Sequence, residues 1–571
     1  MVVFRKPRGF NLKNRRTPVP EAEALRWGKA IGSGRGAVAY DGQPARRRPL
    51  RPTYALRLVV DRDRTGGLAS VRPDDTTRTE PAVLLDAAPF PVRQRAYRSC
   101  ARPGNARAVV MTQQLDVDYL VVGAGATGMA FTDALIDHAD VRVALVDRRL
   151  ATGGHWLDAY PFVQLHQASS FYGVASTLLG GQVQQRGPEA GLHERASGTE
   201  ICSYYERVLV DRLLPSGKVE WFPGSEHVGG GRVVSRVTGQ QFQVPARCRI
   251  VDARYLAPDV PSVSPPPFDV VGGARVLPVN DLVGLTEAPR EYVVVGSGKT
   301  ATDAVVWLLG QGIDPGAVRW VRPREPWMLN RAVVQPAPEV FLAMVADTMT
   351  AAAAAGSLDD LFLRLEAAGV MLRIDPAVTP TMARAPTLGT WELERLRSVD
   401  NVVRRGHVRS VEPGRLHFDD GPLVISRDAL VVHCAASGLQ HPPAVPIWGP
   451  DAITLQPVRS GFPCFGAALV GYVEATRDDD ADKNRLCPST PYGNSRAEWG
   501  RMQVLGARAA QSFGAAPDIR DWANGVALNP ARIPPDQAPS AALDDALGRL
   551  RANVGPGLAR LAELSGLHSP S

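Results

Sequence analysis

The sequence predicts an α/β chain built on two Rossmann-like strand–turn–helix units, and three observations lead there. Residues 117–150, "VDYLVVGAGATGMAFTDALIDHADVRVALVDRRL", run strand, glycine turn, helix, strand. Residues 292–322 repeat that order around "YVVVGSGKTATD" and "VRWVR". The chain of 571 residues also exceeds what one core holds, at roughly 150 residues per domain. Its 44% hydrophobic and 22% charged content is ordinary for a globular protein.

The first fifth stands apart. Residues 1–110 hold 23 Lys+Arg against 9 Asp+Glu, while the remainder of the chain is net acidic, so the overall charge of +7 originates there. Stretches such as "ARRRPLRP" have no sustained period of 2 or 3.6. The region is expected to be a basic, disordered extension. Because "MTQQLDVDYLVVGAG" is a normal beginning for a nucleotide-binding domain, translation is expected to start near Met111. The N-terminal stretch lacks an apolar signal core, and no run of 18 apolar residues occurs, so a cytoplasmic protein without a membrane span is expected.

In the first unit, Gly123, Gly125 and Gly128 follow the strand at 119–122. Such glycines serve a tight turn, close approach of backbone to a pyrophosphate, and close helix–strand packing. Asp147, with Arg148 beside it, ends the second strand, where a carboxylate bonds a ribose hydroxyl.

The second unit contains Gly-Lys-Thr, which suggests a triphosphate-binding loop. That loop requires glycine at position 293, which is Val293, and four residues between its glycines, whereas Gly296 and Gly298 are separated by one. The stretch Gly296-x-Gly298-x-x-Ala301 fits the dinucleotide turn instead. Lys299 and Thr300 occupy the first helical turn, within reach of a phosphate. The following strand ends on Arg322 and Arg324 rather than on an acid, which favours the 2′-phosphate of NADPH over NADH.

Beyond these turns, "ATGGHWLDAYP" contributes Gly153, Gly154, Trp156, Tyr160 and Pro161, "FVQLHQASSFYG" contributes His166, Ser169 and Tyr172, and "DALVVHCAASGL" contributes Ser437 and Gly438. With the two turns, these segments resemble the two-dinucleotide-binding flavoproteins, and more narrowly the flavin-containing and Baeyer–Villiger-type monooxygenases. The likeness spans roughly 400 residues. It implies FAD and NADPH as cofactors and a small organic substrate, with Gly154, Trp156 and Gly438 beside the flavin. It also implies an FAD domain of residues 115–255 and 425–515, interrupted by an NADPH domain at 256–424. Two departures stand out. "FPGSEH" places His227 one residue short of the monooxygenase pattern Phe-x-Gly-x-x-x-His and about 70 residues early, and no CxxxxC pair occurs among the six cysteines.

Catalytic candidates are His166, which replaces the family's acid and could shuttle a proton, and Arg459. The latter could stabilise a reduced, anionic flavin or a carboxylate substrate, or be an ordinary ion-pair residue. His155 is a further candidate for tuning the flavin. Residues 336–370 are expected to form a helical insertion, either a packing element or a cover over the active site, 477–488 a solvated charged loop, and 516–571 an amphipathic C-terminal tail or small helical appendage broken by Gly and Pro. No metal site is expected, and the oligomeric state is open. The rival reading is a non-catalytic dinucleotide-binding regulator that uses its basic arm on nucleic acid or a partner.

Overall fold

The computed structural model describes residues 112–438 and 440–567. The expectations for a basic extension and for a start near Met111 lie outside the described residues.

A five-stranded parallel sheet forms around the first glycine turn, in the order Ile453–Thr454, Arg249–Asp252, Tyr119–Val122, Val143–Val146, Val219–Phe222. The strand Val143–Val146 is wholly buried, which explains an apolar run with no alternation. A second five-stranded parallel sheet runs Val276–Pro278, Leu430–His433, Tyr292–Val295, Val318–Val321, Val402–Val403. In sequence, every strand of the second sheet falls between Asp252 and Ile453 of the first. The chain therefore leaves one Rossmann-like unit, builds another, and returns. The return comes after His433 and not at 425, because the fully buried strand Leu430–His433 pairs with Tyr292–Val295. The two crossing segments are themselves paired through Asp259 and Gly438, the latter at φ +70°.

On its return the chain lays helix Pro463–Thr476 against helix Ala126–His138. Gly471 permits the contact, since a Cβ there would stand 2.5 Å from the carbonyl oxygen of Phe131. The stretch at 477–488 is not a solvated loop. It forms helix Asp480–Leu486, whose Lys483 is buried with its Nζ 2.7 Å from Glu474.

The insertion forms two helices, Pro338–Ala354 and Leu358–Ala367, the second capped by Ser357. They accompany a small sheet of Pro326–Asn330, Met371–Arg373 and Met382–Leu388. Among the described residues no helix is long and apolar enough to cross a membrane.

The C-terminal segment takes the helical of its two expected forms, as Pro517–Gly525 and Ala541–Leu564. The latter stays helical through Pro556 and packs along Pro338–Ala354, burying Leu543, Ala546 and Leu561. Gly557, a helix breaker when read locally, lies against Met349; a Cβ at that position would stand 2.6 Å from its carbonyl oxygen. Arg560 donates to the carbonyls of Ala355 and Gly356 just past the end of the insertion helix, each at 2.8 Å. Replacing Gly557 with Leu must push these helices apart. Overpacking of this kind costs about 1–3 kcal/mol, so a lowered thermal midpoint is expected, with Gly548→Leu, which meets open space, as the mild control.

Candidate functional site

The first turn is shaped by contacts that exclude side chains. Gly123 adopts φ +112°, and a Cβ on Gly128 would lie 1.8 Å from its carbonyl oxygen, which forces glycine in the third place. Gly154, at φ +60°, abuts Gly125, where a Cβ would stand 2.9 Å from the Cα of Gly125. The Gly-Gly-x-Trp segment therefore lies directly on the turn. Trp156 is tied down by donating its indole N–H to the Tyr172 hydroxyl at 2.6 Å.

At the carboxyl ends of the first two strands a cleft is lined by Gly123, Asp147, Arg148, His227 and Arg254. Asp147 accepts the amides of Ala124 and Arg149, both at 2.8 Å, which locks the turn and still leaves lone pairs free. His227 and Arg254 were not singled out by the sequence as cleft residues. The Nε2 of His227 is buried without a partner, and the Arg254 stem passes 3.3 Å from where a side chain on Gly123 would begin.

The second turn repeats the pattern with a different charge. Gly296 adopts φ +140° against the Cys434 carbonyl, and Ala301 is fully buried in the third place. Arg324 is exposed at the end of strand Val318–Val321. Arg322 is not: its guanidinium is 3% exposed, lies 4.6 Å over the Trp320 ring, and faces Glu325 at 3.2 Å. Burial brings it down to about 10. The second cation at this turn is Arg384, whose Nη1 stands 3.9 Å from where a side chain on Gly298 would begin and whose buried Nε has no partner. No sequence pattern pointed to it, since it arrives from strand Met382–Leu388, about 85 residues further on.

Lys299 does not extend toward a phosphate. Its Nζ is bonded to Asp303 and lies 3.8 Å from Glu392, within a buried ion cluster. At the centre of that cluster is Arg331, fully buried, which pairs with Glu189 and, at 2.7 Å, with Glu392, and donates Nε–H to the His166 carbonyl at 3.1 Å. Arg195 adds a second bond to Glu189 at 2.9 Å. The His166 ring is pulled down to about 3, first by burial and then by the charges of Lys299, Arg331 and Arg195. Both effects favour the neutral imidazole. His155 is likewise lowered, to about 4, by burial and by Arg149.

Arg459 is not an ion-pair residue among the described residues. It lines a cavity of about 170 Å³ between the insertion helix and helix Arg496–Gly514, and burial alone, with no neighbouring charge, lowers it to about 10.

Over 419 residues the chain is 43% identical to "Uncharacterized protein Rv2000" of Mycobacterium tuberculosis, an alignment covering 73% of this chain and 78% of that protein. The chain belongs to the Rv2000 family. "Uncharacterized protein Mb2023" of Mycobacterium bovis matches to the same extent. No family model matches the chain. Among solved structures it is similar to ε-caprolactone-bound cyclohexanone monooxygenase, with TM-score 0.44 and 14% identity over 71% of this chain and 98% of that one. It is also similar to the polycyclic ketone monooxygenase of Thermothelomyces thermophila, with TM-score 0.44 and 15% identity over 79% and 90%. A bacillithiol disulfide reductase of Bacillus cereus gives TM-score 0.39 and 12% identity over 64% and 100%.

The ion cluster sets the acid behaviour expected of this Rv2000-family chain. Burial raises the Glu189 carboxyl, but the charges of Arg331 and Arg195 outweigh it and bring it down to about 2; Glu392 is lowered in the same sense by Lys299 and Arg331. A carboxyl depressed on folding stabilises the fold above its unfolded value, about 4.3, and that contribution is lost as pH falls through the folded one. The thermal midpoint should therefore decline between about pH 4.5 and 2. Arg331→Met, which strands two buried carboxylates, should destabilise by roughly 3–5 kcal/mol at neutral pH, with a smaller penalty at low pH, as read by denaturant unfolding.

Proposed function

We propose that the chain is an FAD-dependent oxidoreductase that oxidises NADPH and acts on a small organic molecule in the manner of a flavin monooxygenase. One observation carries this reading. Among the α-helices of the described residues, only Ala126–His138 and Lys299–Gly310 begin with neither a side-chain cap, nor a proline, nor an acid in the first turn. The others start on Ser197, Ser357, Asp479, Ser495 or Ser540, on Pro338, Pro463 or Pro517, or on Gly389 with Glu392 reaching back to its amide. Orphan amides at a helix start need an acceptor, and the helix dipole favours an anionic one. Both exceptions follow glycine turns at the carboxyl ends of parallel strands, which suits a pyrophosphate.

The residues fit two different dinucleotides. At the first turn Asp147 would accept from a ribose hydroxyl, Gly123, Gly125, Gly128 and Gly154 would keep the backbone bare, and Arg148, His227 and Arg254 would border the nucleoside. At the second turn Arg384 and Arg324 would hold the phosphates of NADPH, while Gly296 and Gly298 keep the approach open. When bound, a flavin supplies the electron-accepting ring and a nicotinamide the hydride. The chain's part is to bring the two together and shield them from water. Arg331 supports this by joining the loop that carries His166 to helix Thr390–Arg397 of the second unit. The rival reading needs the arm at 1–110, which lies outside the described residues.

The purified protein should be yellow, and NADPH should bleach it under nitrogen; a colourless protein that does not take up FAD would overturn the reading. With a turned-over substrate, one oxygenated product per NADPH marks a monooxygenase, whereas hydrogen peroxide alone marks an oxidase. Arg384→Ala removes charge-assisted bonds worth about 1.5–3 kcal/mol. It should raise the KM for NADPH by at least about tenfold and change that for NADH less.

A further inference from the structure

The cavity beside Arg459 belongs to neither dinucleotide turn. None of Gly123, Gly125, Gly154, Trp156, Gly296 or Gly298 lines it; its walls come mainly from the insertion helix, from helix Arg496–Gly514 and from the segment at 459–462, with Gln167 and strands Pro326–Asn330 and Met382–Leu388 also contributing. Phe341, Met349, Trp499, Met502 and Phe462 make most of it apolar, and all five are less than a tenth exposed. Arg459 is the one charged residue in the lining. A second polar group joins it: Gln167, 5% exposed, lines the same space, and its side-chain amide has no hydrogen bond among the described residues. Thr348 and Thr387 also line the space, but their hydroxyls already donate to the carbonyls of Met344 and His166.

We infer that this cavity binds an amphipathic monocarboxylate, with its carboxylate on Arg459 and Gln167 and its hydrocarbon body among Phe341, Met349, Trp499 and Met502. A guanidinium matches a carboxylate with two parallel N–H···O bonds. A single arginine balances a single negative charge, whereas a phosphomonoester carries about −1.5 to −2 at neutral pH and would leave charge buried without a partner. A neutral molecule would displace water from the part-buried guanidinium without an anion to replace it. The soft, unbranched thioethers of Met349 and Met502 suit a flexible chain better than a rigid ring system. The cavity adjoins the first unit through aromatic contacts, since Phe171 meets both Phe341 and Phe462, at 6.3 and 5.2 Å between ring centres, and its neighbour Tyr172 holds Trp156. The inference rests on the proposed oxidoreductase reading only in naming this acid as the molecule acted upon.

The test is calorimetric titration of the full chain, as purified and after flavin removal, with decanoate and with methyl decanoate. Decanoate should bind at least about tenfold more tightly than the ester. Arg459→Met should bring decanoate down to the level of the ester with little effect on the ester, Arg459→Lys should retain part of the preference, and Met349→Trp, which fills the cavity, should weaken both. Equal affinity of acid and ester, or an Arg459→Met protein with an unchanged thermal midpoint that still prefers decanoate, would overturn the inference. If Arg459→Met does not fold, a Met349→Trp protein that binds decanoate undiminished overturns it as well. The two readings fail separately. Decanoate binding to a protein that never takes up flavin leaves this site standing and removes the oxidoreductase, while NADPH-bleached flavin with no decanoate binding does the reverse.

Discussion

A single fully buried guanidinium, that of Arg331, joins the two halves of the molecule. It receives a carboxylate from each side, Glu189 from the loop that follows the first turn and Glu392 from helix Thr390–Arg397 of the second unit. Its Nε–H holds the carbonyl of His166. Two carboxylates against one cation would leave excess negative charge in a dry place. Arg195 and Lys299 add two cations and Asp303, bonded to Lys299, a third carboxylate, so that three charges of each sign balance, while the Trp391 indole N–H and the Gly389 amide take remaining lone pairs. A buried ion network holds only when each member is satisfied, and this one fixes where Gln167 and Thr387, neighbours of these contacts, line the cavity. The geometry of the cavity is thus set by charges that do not face it.

The two glycine turns are alike in backbone and opposite in electrostatics. At the first, a carboxylate sits at the end of the adjoining strand and takes amides of its own turn. At the second, the same place is held by arginine, with another arginine arriving over Gly298. Bare helix starts would attract any pyrophosphate, so the surrounding side chains have to discriminate between nucleotides. An acid repels an extra phosphate, whereas a half-buried arginine whose Nε lacks a partner gains a bond by meeting one. The proposed dinucleotide assignment rests on that contrast rather than on the glycines.

The sequence made legible whatever is decided locally. Gly123, Gly128 and Gly296 are demanded by positive φ or by an approach no Cβ allows, and such demands leave a fixed spacing behind. Apolar strands buried on both faces were equally visible. Features settled by distant partners were not. Lys299 reads as a phosphate ligand until Asp303 and Glu392 close around it. Arg322 reads as a ligand for a 2′-phosphate until the strand turns it onto Trp320. His166 was singled out for its ring, yet its carbonyl does the structural work while burial, and then nearby cations, favour the neutral imidazole. Arg384 had no signal at all, because its relation to Gly298 exists only once strand Met382–Leu388 is in place. Glycine was ambiguous in the C-terminal segment, where it left tail and helix both open; in the helix Gly557 is the small residue that lets Met349 approach.

The insertion helix resolves a choice that composition left open, between packing element and active-site cover. Pro338–Ala354 is apolar nearly all round, and a helix of that kind must be covered on more than one side. One side meets the C-terminal helix, where Leu342 packs with Leu543 and Ala546. Another presents Phe341, Met344, Val345 and Met349 to the cavity. The same helix is therefore core on one side and lining on the other, and its position over the cavity depends on residues 541–564. Helix Ala541–Leu564 lines neither the first-turn cleft nor the cavity beside Arg459, yet by holding the insertion helix it fixes the shape of the space in front of Arg459. The most C-terminal helix of the described chain is in this sense a determinant of what the cavity admits, at a distance that no reading of the cavity's own residues would reveal.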